Sequence, residues 1–178
     1  GRTPPMWKVE GRLQEQQMEK ETGYVWHYTV GTPLAAIARS GRLMPAAAST
    51  PAPRTGEQEI LWFSRNQQWD PSATRDDGLS QARHTLSQAA LHARFGLYRF
   101  GLPVHDVRLL PWPTVTRVAD IDIPEAMTMV ANGLRCGAAP TDWIGTLMPV
   151  PLAELRFERW SGATWAPADL DELVAQFA

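Results

Sequence analysis

The stretch that most constrains the fold is residues 24–29, which are followed at once by a segment with helical spacing. Aromatic and β-branched side chains dominate these six residues, and such side chains fit a half-buried pleated surface. The stretch therefore predicts a strand. Because strand side chains alternate, His27 and Thr29 share one face, whereas Trp26 and Tyr28 share the other. A polar pair on an otherwise apolar face has two explanations: the two side chains are hydrogen-bonded within the core, or they face a ligand.

A short amphipathic helix is predicted directly after this strand. Thr32 is a favourable N-cap, and Pro33 suits the first helical position, where its missing N–H costs nothing. Leu34 and Ile37 begin one apolar stripe, and Gly41 supplies the left-handed residue that ends the helix. The chain thus predicts a strand with a helix packed against it.

Strands and a few helices are predicted through the rest of the chain. The apolar run 60–64 predicts a central strand, in which Ser64 shares a face with Ile60 and Trp62. Further strands are predicted at 97–102, 107–110, 143–148 and 155–160, and helices at 79–94, 124–134 and after Pro167. The prolines at 111 and 113 place their region at a sheet edge. Without repeated βαβ units, this order predicts an α+β fold with a largely antiparallel or split sheet and short flanking helices.

Length and composition indicate one globular domain. The chain has 178 residues, 44% of them hydrophobic, which suits one core rather than two. Residues 1–22 read as a polar N-terminal lead-in and 23–178 as the domain. A net charge of -2 argues against broad non-specific nucleic-acid binding. No apolar run has membrane-spanning length and the single cysteine suits a reducing compartment, so we expect a cytoplasmic protein without membrane contact.

Common catalytic and metal-binding motifs are missing from the sequence. It contains no phosphate-binding P-loop, no dinucleotide-binding glycine motif, no zinc-protease His-Glu-x-x-His and no serine-hydrolase Gly-x-Ser-x-Gly. His84 and His92 are too far apart on a predicted helix to suggest a metal site, and His105 beside Asp106 suits a surface hydrogen bond. Cys136 is expected to be a small apolar residue rather than a nucleophile. No metal is therefore expected, and His27, Thr29 and Ser64 are the remaining candidates.

A series of short motifs runs through the chain: His27-Tyr28-Thr29, a helix with Leu34, Ile37 and Gly41, then Leu43, a strand ending in Trp62-Phe63-Ser64, and the tail segment 150–155. This order resembles the ADP-ribosyltransferase fold superfamily, especially its DNA-modifying bacterial toxins and the RNA 2′-phosphotransferases. The resemblance extends over about a third of the chain.

The resemblance implies an NAD-binding cleft in a split, mixed or antiparallel sheet. His27 would bind the adenosine ribose and act among the catalytic residues, while Tyr28 and Thr29 would lie at the cofactor. Ser64 would brace the site, and Trp69 would stack on the nicotinamide.

The family's late-strand glutamate has no counterpart in residues 143–148. Asp142 lies near the expected position, one carbon shorter, and Glu154 follows the segment; we expect one of the two to serve as the catalytic carboxylate. Glu125 is explained as a helix-capping residue.

Two hypotheses follow. The first is an NAD-dependent ADP-ribosyltransferase that modifies a macromolecule, for which four arginines at positions 94, 99, 108 and 117 would offer a local basic approach if the target is nucleic acid. The second is a catalytically inactive nucleotide- or protein-binding module of the same fold, in which the tryptophans supply contact area.

Overall fold

The structure is a computed structural model that describes residues 23–45, 58–74 and 85–177. The predicted lead-in 1–22, His84 and the first part of the predicted helix 79–94 lie outside the described residues. The strands are β1 (Tyr24–Val30), β2 (Arg42–Leu43), β3 (Leu61–Ser64), β4 (Leu97–Pro103), β5 (Leu110–Pro111), β6 (Trp143–Thr146), β7 (Val150–Pro151), β8 (Arg156–Trp160) and β9 (Trp165–Pro167). The helices are α1 (Leu34–Ser40), α2 (Gln88–Phe95), α3 (Trp112–Val118), α4 (Ile123–Arg135) and α5 (Leu170–Gln176), with 3₁₀ turns at Pro140–Asp142 and Leu152–Glu154.

Within the described residues, seven strands form one antiparallel sheet in the order β5-β6-β3-β1-β4-β8-β9, and β2 pairs with β7 separately. The predicted α+β class with an antiparallel sheet is confirmed. As predicted, β3 is an interior strand, and β5, which carries Pro111, is an edge strand.

The sheet is divided between β1 and β3. β1 pairs with β4 along its whole length, from Tyr24 to Val30, whereas Trp26 opposite Ser64 is the single register pair between β1 and β3. The two strands diverge beyond this bridge. The divergence opens a gap at the centre of the sheet, beside His27.

Register defines two faces of the sheet, because residues directly opposite in antiparallel strands point to the same side. Trp26, Ser64 and Trp143 lie in one row on what we call the front face. His27 opposes Phe100 on the other, back face. The back face carries the larger core, to which α1 contributes Leu34 and α5 contributes Leu173. A smaller front core packs α3 and α4 against the end of β3.

Local capping chemistry sets several of the helix ends. Gly41 ends α1 at φ 73°, a left-handed conformation that glycine adopts without steric cost, as predicted. Asp122 begins α4 and accepts a hydrogen bond from the backbone N–H of Glu125 at 2.9 Å, also as predicted. The prediction of a Thr32 N-cap is wrong, because α1 begins one residue later with Pro33 in the capping position and without a side-chain cap.

Candidate functional site

A cavity of about 830 Å³ lies where β1 and β3 separate, and its floor is the front-face row of Trp26, Ser64 and Trp143. Helix α4 borders it on one side and the segment 70–74 on the other. His27 lines the cavity although it belongs to the back face. We attribute this to the gap beyond the Trp26 bridge, which leaves the edge of β1 uncovered by β3.

His27 is held across the gap by the backbone of β3. Its Nδ1 lies 2.8 Å from the carbonyl oxygen of Trp62, and its ring meets the Phe63 ring edge-on at 5.9 Å. Since a carbonyl can only accept, Nδ1 carries the proton and Nε2 is left as an acceptor. Burial lowers the pKa of His27, and the hydrogen bond to Trp62 opposes that shift only in part. The imidazole is therefore neutral near pH 7.

Ser64 is joined to a buried carboxylate that the sequence motifs do not indicate. Its hydroxyl donates to Oδ2 of Asp70 at 2.6 Å. The other carboxylate oxygen, Oδ1, accepts from the N–H and the hydroxyl of Ser72 at 2.9 and 2.6 Å. Asp70 is 2% exposed and lines the cavity. Asp-Pro at 70–71 reads as ordinary turn chemistry in the sequence, and only the tertiary structure brings this carboxylate to Ser64.

Tyr28 anchors the segment that follows β3. Its hydroxyl donates to the carbonyl of Asn66 at 3.1 Å, and its ring meets the edge of Trp69 at 4.9 Å. Burial raises the pKa of Tyr28 to about 12, against the opposing influence of the nearby Arg99 guanidinium. Tyr28 therefore stays a protonated donor, and its ring forms part of the cavity wall.

Three tryptophans form an aromatic wall of the cavity. The Trp62 and Trp112 rings lie 5.4 Å apart and tilted by 35°, and Trp112 meets Trp143 edge-on at 5.0 Å. All three line the cavity. Trp143 is 8% exposed, and its Nε1 is buried without an acceptor from the described residues. Aromatic faces of this kind offer stacking surfaces for a planar ligand.

The C-terminal end of α4 supplies polar groups at the rim of the cavity. Asn132, Arg135 and Cys136 all line it and are exposed. Cys136 is a free, exposed thiol that follows the last turn of α4 on the solvent side.

The remaining predicted site residues lie outside the cavity. Thr29 donates a hydrogen bond to the carbonyl of Val30 at 3.3 Å, and Trp69 packs on Tyr28. Asp142 ends the 3₁₀ turn before β6, one residue from Trp143, and its carbonyl accepts from the N–H of Arg65 at 2.8 Å. Of the three candidates His27, Thr29 and Ser64, His27 and Ser64 line the cavity, and they reach it from opposite faces of the sheet.

Glu154 is exposed and lies apart from the cavity. It accepts a hydrogen bond from Nη2 of Arg108 at 3.1 Å, and Arg108 is also paired with Asp106. The pairing with Arg108 lowers the pKa of Asp106. Among the described residues, Asp70 is the one carboxylate that lines the cavity.

A buried ion pair lies on the front face beside Tyr28. Nε and Nη2 of Arg99 donate to one carboxylate oxygen of Glu158 at 2.8 and 2.6 Å, and Nη1 donates to the carbonyl of Gln67 at 2.7 Å. The guanidinium lies between the rings of Trp26 and Trp165, 3.7 and 4.3 Å from their centroids. Arg99 is therefore not available to a macromolecular target, unlike the exposed Arg94 and Arg117.

In the part of the chain that the structure describes, no three His, Cys, Asp or Glu side chains are grouped so that they could hold a metal ion. The same residues include no helix with the length and apolar character needed to cross a membrane.

The comparisons with known proteins identify no relative. The chain matches no protein-family model, no curated protein and no solved structure.

Proposed function

We propose that this protein binds NAD in the cavity between β1 and β3 and transfers ADP-ribose to a macromolecular target. The observation that carries the proposal is that His27, Tyr28 and Ser64 line one cavity at the divergence of the two strands. These are residues that the resemblance to ADP-ribosyltransferases assigns to the cofactor. The cavity volume of about 830 Å³ is in the range of small-molecule and cofactor sites.

The cavity residues suit a dinucleotide in chemical character. The neutral His27 offers Nε2 as an acceptor for a ribose hydroxyl, because Nδ1 is occupied by the Trp62 carbonyl. Trp62 and Trp112 offer faces for a planar ring, and Arg135 at the rim carries a positive charge that suits a phosphate. NAD, when bound, supplies the ADP-ribose group, with nicotinamide as its leaving group.

Two carboxylates are candidates for assisting the transfer. Asp70 already lines the cavity, but three hydrogen bonds from Ser64 and Ser72 stabilise it as a fixed acceptor. Asp142 adjoins Trp143 at the start of β6. A carboxylate near the developing positive charge of the sugar would lower the barrier, and removing such a group typically costs about 3–4 kcal/mol in transition-state energy.

The test is release of nicotinamide from NAD by the wild-type chain and by single variants. We expect turnover by wild type, a loss of about 100-fold or more with Asp70→Asn, which changes the carboxylate that lines the cavity, and weaker NAD binding with His27→Ala. Glu154→Gln is the matched control, because Glu154 is paired with Arg108 away from the cavity, and should retain activity. A wild-type chain that neither releases nicotinamide nor gains thermal stability with NAD contradicts the proposal.

A second candidate is a catalytically inactive nucleotide-binding module of the same fold. It is favoured by the fact that neither Asp142 nor Glu154 lines the cavity, while Asp70 is committed to three hydrogen bonds. Under this alternative, NAD raises the melting temperature of the wild-type chain without any release of nicotinamide.

A further inference from the structure

The segment that follows β3 is held on the front face of the sheet by side chains from three other strands. We call this segment, residues 65–69, the strap. Three successive carbonyls of the strap accept hydrogen bonds from side chains of β1, β4 and β9. The pairs are Asn66 with the Tyr28 hydroxyl at 3.1 Å, Gln67 with Nη1 of Arg99 at 2.7 Å, and Gln68 with Nε1 of Trp165 at 2.7 Å.

The side chain of Gln67 adds further bonds between the strap and the sheet. Its Oε1 accepts from Nε1 of Trp26 at 2.9 Å, and its Nε2 donates to the carbonyls of Tyr24 and Arg65 at 2.7 and 2.9 Å. Carbonyls of a surface loop are ordinarily free to bond with water. Because this loop is bonded to fixed side chains instead, the strap is restricted to one path across the sheet.

The strap leads directly into the cavity wall at residues 70–74. Asp70, the first residue of the wall, accepts from the Ser64 hydroxyl at 2.6 Å. The wall is then folded around Asp70, because the N–H of Ser72 donates to its Oδ1 and the N–H of Ala73 donates to its carbonyl, both at 2.9 Å. The position of the strap therefore bears on the position of the wall.

Two donors to the strap stand outside the cavity. Tyr28 lines the cavity, whereas Arg99 and Trp165 do not. Nε and Nη2 of Arg99 are bonded to Glu158, and its guanidinium lies against the Trp165 ring, 4.3 Å from the centroid. The two donors are thus fixed to each other and to β8, away from any ligand in the cavity.

We propose that Arg99 and Trp165 are positioning residues, which act through the strap to hold the cavity wall at 70–74 in one arrangement before a ligand binds. A wall that is already ordered loses less conformational freedom on binding, so the ligand binds more tightly. Supporting hydrogen bonds behind the residues that contact a ligand commonly have this effect. The proposal deepens the proposed function, since it names what prepares the same cavity.

The first test measures the wall without a ligand. Trp165 is replaced by 3-benzothienylalanine, in which a sulfur atom stands in place of the indole N–H and the ring keeps its shape beside Arg99. The N–H groups of Ser72 and Ala73 report on the wall through amide hydrogen exchange, followed by NMR. We expect both amides to exchange about three- to tenfold faster than in the wild-type chain, because one bond that restrains the strap is lost.

The matched control is the same replacement at Trp160. Its ring contacts the Trp165 ring, with centroids 5.1 Å apart, but the donors to the strap carbonyls do not include Trp160. Exchange at Ser72 and Ala73 should therefore stay at the wild-type rate.

The second test measures ligand binding and rests on the proposed function, with NAD as the probe. We expect the replacement at Trp165 to raise the NAD dissociation constant about three- to tenfold in calorimetric titration. Leu173→Ala, which removes a buried side chain from the back core, is the control for lost stability. It should lower the melting temperature and leave the dissociation constant unchanged, whereas a purely structural role of Trp165 would give the same result at both positions.

The outcomes separate the role of the strap from the proposed function. Faster exchange confined to the amides of Gln68 and Trp69 in the strap overturns the positioning role, because the wall would then be held by Asp70 alone. Equal acceleration in the Trp160 control overturns it too. A wild-type chain that does not bind NAD overturns the proposed function only, since exchange is measured without ligand. If NAD binds equally well to wild type and to the Trp165 replacement, the effect of the strap on ligand binding is overturned.

Discussion

At the scale of single residues, His27 makes the stability of the protein depend on pH. Burial lowers its folded-state pKa below the ordinary value near 6.5, so the unfolded chain binds more protons below that pH. Stability is therefore fully present above about pH 6.5 and falls as the pH drops further, by at most about 1.4 kcal/mol per pH unit for one proton. Urea unfolding of the wild-type chain between pH 5 and 8 should show this slope.

His27→Gln is the comparison for this pH dependence. Its amide can still donate to the Trp62 carbonyl, but it has no proton to gain in this range. The difference in free energy of unfolding between wild type and variant should shrink toward acid pH. A difference that stays constant from pH 5 to 8 would show that His27 is not the group responsible.

Ser64 stabilises the buried carboxylate beneath the cavity. Ser64→Ala removes the 2.6 Å donor to Asp70 and the acceptor of the Asn66 N–H, leaving buried polar groups short of partners. We expect a loss of about 1–3 kcal/mol in the free energy of unfolding, measured with urea.

Ser72→Ala is the control for this change, because Ser72 donates to the same carboxylate from an exposed position where water can replace it. Ser72→Ala should lower the free energy of unfolding by clearly less than Ser64→Ala does. If Ser64→Ala and Ser72→Ala lower the free energy of unfolding by the same amount, the burial of Ser64 is not the cause of the loss.

At the scale of elements, the contact between α4 and β6 depends on the absence of a side chain at Gly133. Alanine is favoured over glycine inside a helix by about 1 kcal/mol, but the added Cβ would lie 2.3 Å from the Trp143 ring. Overpacking of this kind typically costs about 1–3 kcal/mol, and the ring is held by Trp112. We therefore expect Gly133→Ala to lower the free energy of unfolding and to change tryptophan fluorescence.

The control for this prediction lies on the same helix. Asn132 is exposed, so Asn132→Ala should be neutral or slightly stabilising. If Gly133→Ala were stabilising as well, the close packing of α4 on Trp143 would be contradicted.

Elements whose ends are set by local chemistry were predictable from the sequence. The left-handed Gly41 and the cap at Asp122 act within a few residues of themselves, and both are where the sequence places them. Helix α3 was missed, because Pro111 and Pro113 indicate a sheet edge while Pro113 is in fact accommodated in the first turn of a helix. The 3₁₀ turn at Pro140–Asp142, directly before β6, was not predicted, because spacing rules do not detect a turn of three residues.

At the scale of the whole molecule, two ion pairs should differ greatly in their effect on stability. Arg99 and Glu158 are both buried and join β4 to β8 and to the Gln67 carbonyl. Arg99→Met would leave the buried Glu158 carboxylate with Arg156 Nε, at 3.0 Å, as its remaining ionic partner, and it would remove the donor to the Gln67 carbonyl. The variant should therefore cost about 3 kcal/mol in denaturant unfolding.

The pair between Arg108 and Glu154 provides the contrast, because the Glu154 side chain is 49% exposed. Glu154→Gln should change stability by less than about 1 kcal/mol. Comparable losses in the two variants would indicate that the front-face pair is hydrated and not buried.

The candidate site was predictable only in part, because it depends on how distant strands meet. His27 and Ser64 stand out from local pattern, but their shared cavity requires the single bridge between β1 and β3, which no spacing rule predicts. Asp70 becomes notable only when its turn folds back onto Ser64. The face of a strand can be read from alternation, whereas the opening between two strands cannot.

The Trp26–Ser64 bridge is the one strand pairing about which the two parts of the sheet could rotate relative to each other. Within the described residues, it divides the seven strands into a three-strand part, β5-β6-β3, and a four-strand part, β1-β4-β8-β9. Rotation of one part about this bridge would widen or narrow the cavity. It would strain the contact of His27 with Trp62 and the hydrogen bonds that join Trp26 and Arg99 to Gln67, while the strand pairings within each part stayed intact. A ligand that touches both parts would fix the angle between them. The sheet should therefore be stiffer in the ligand-bound protein than in the ligand-free protein.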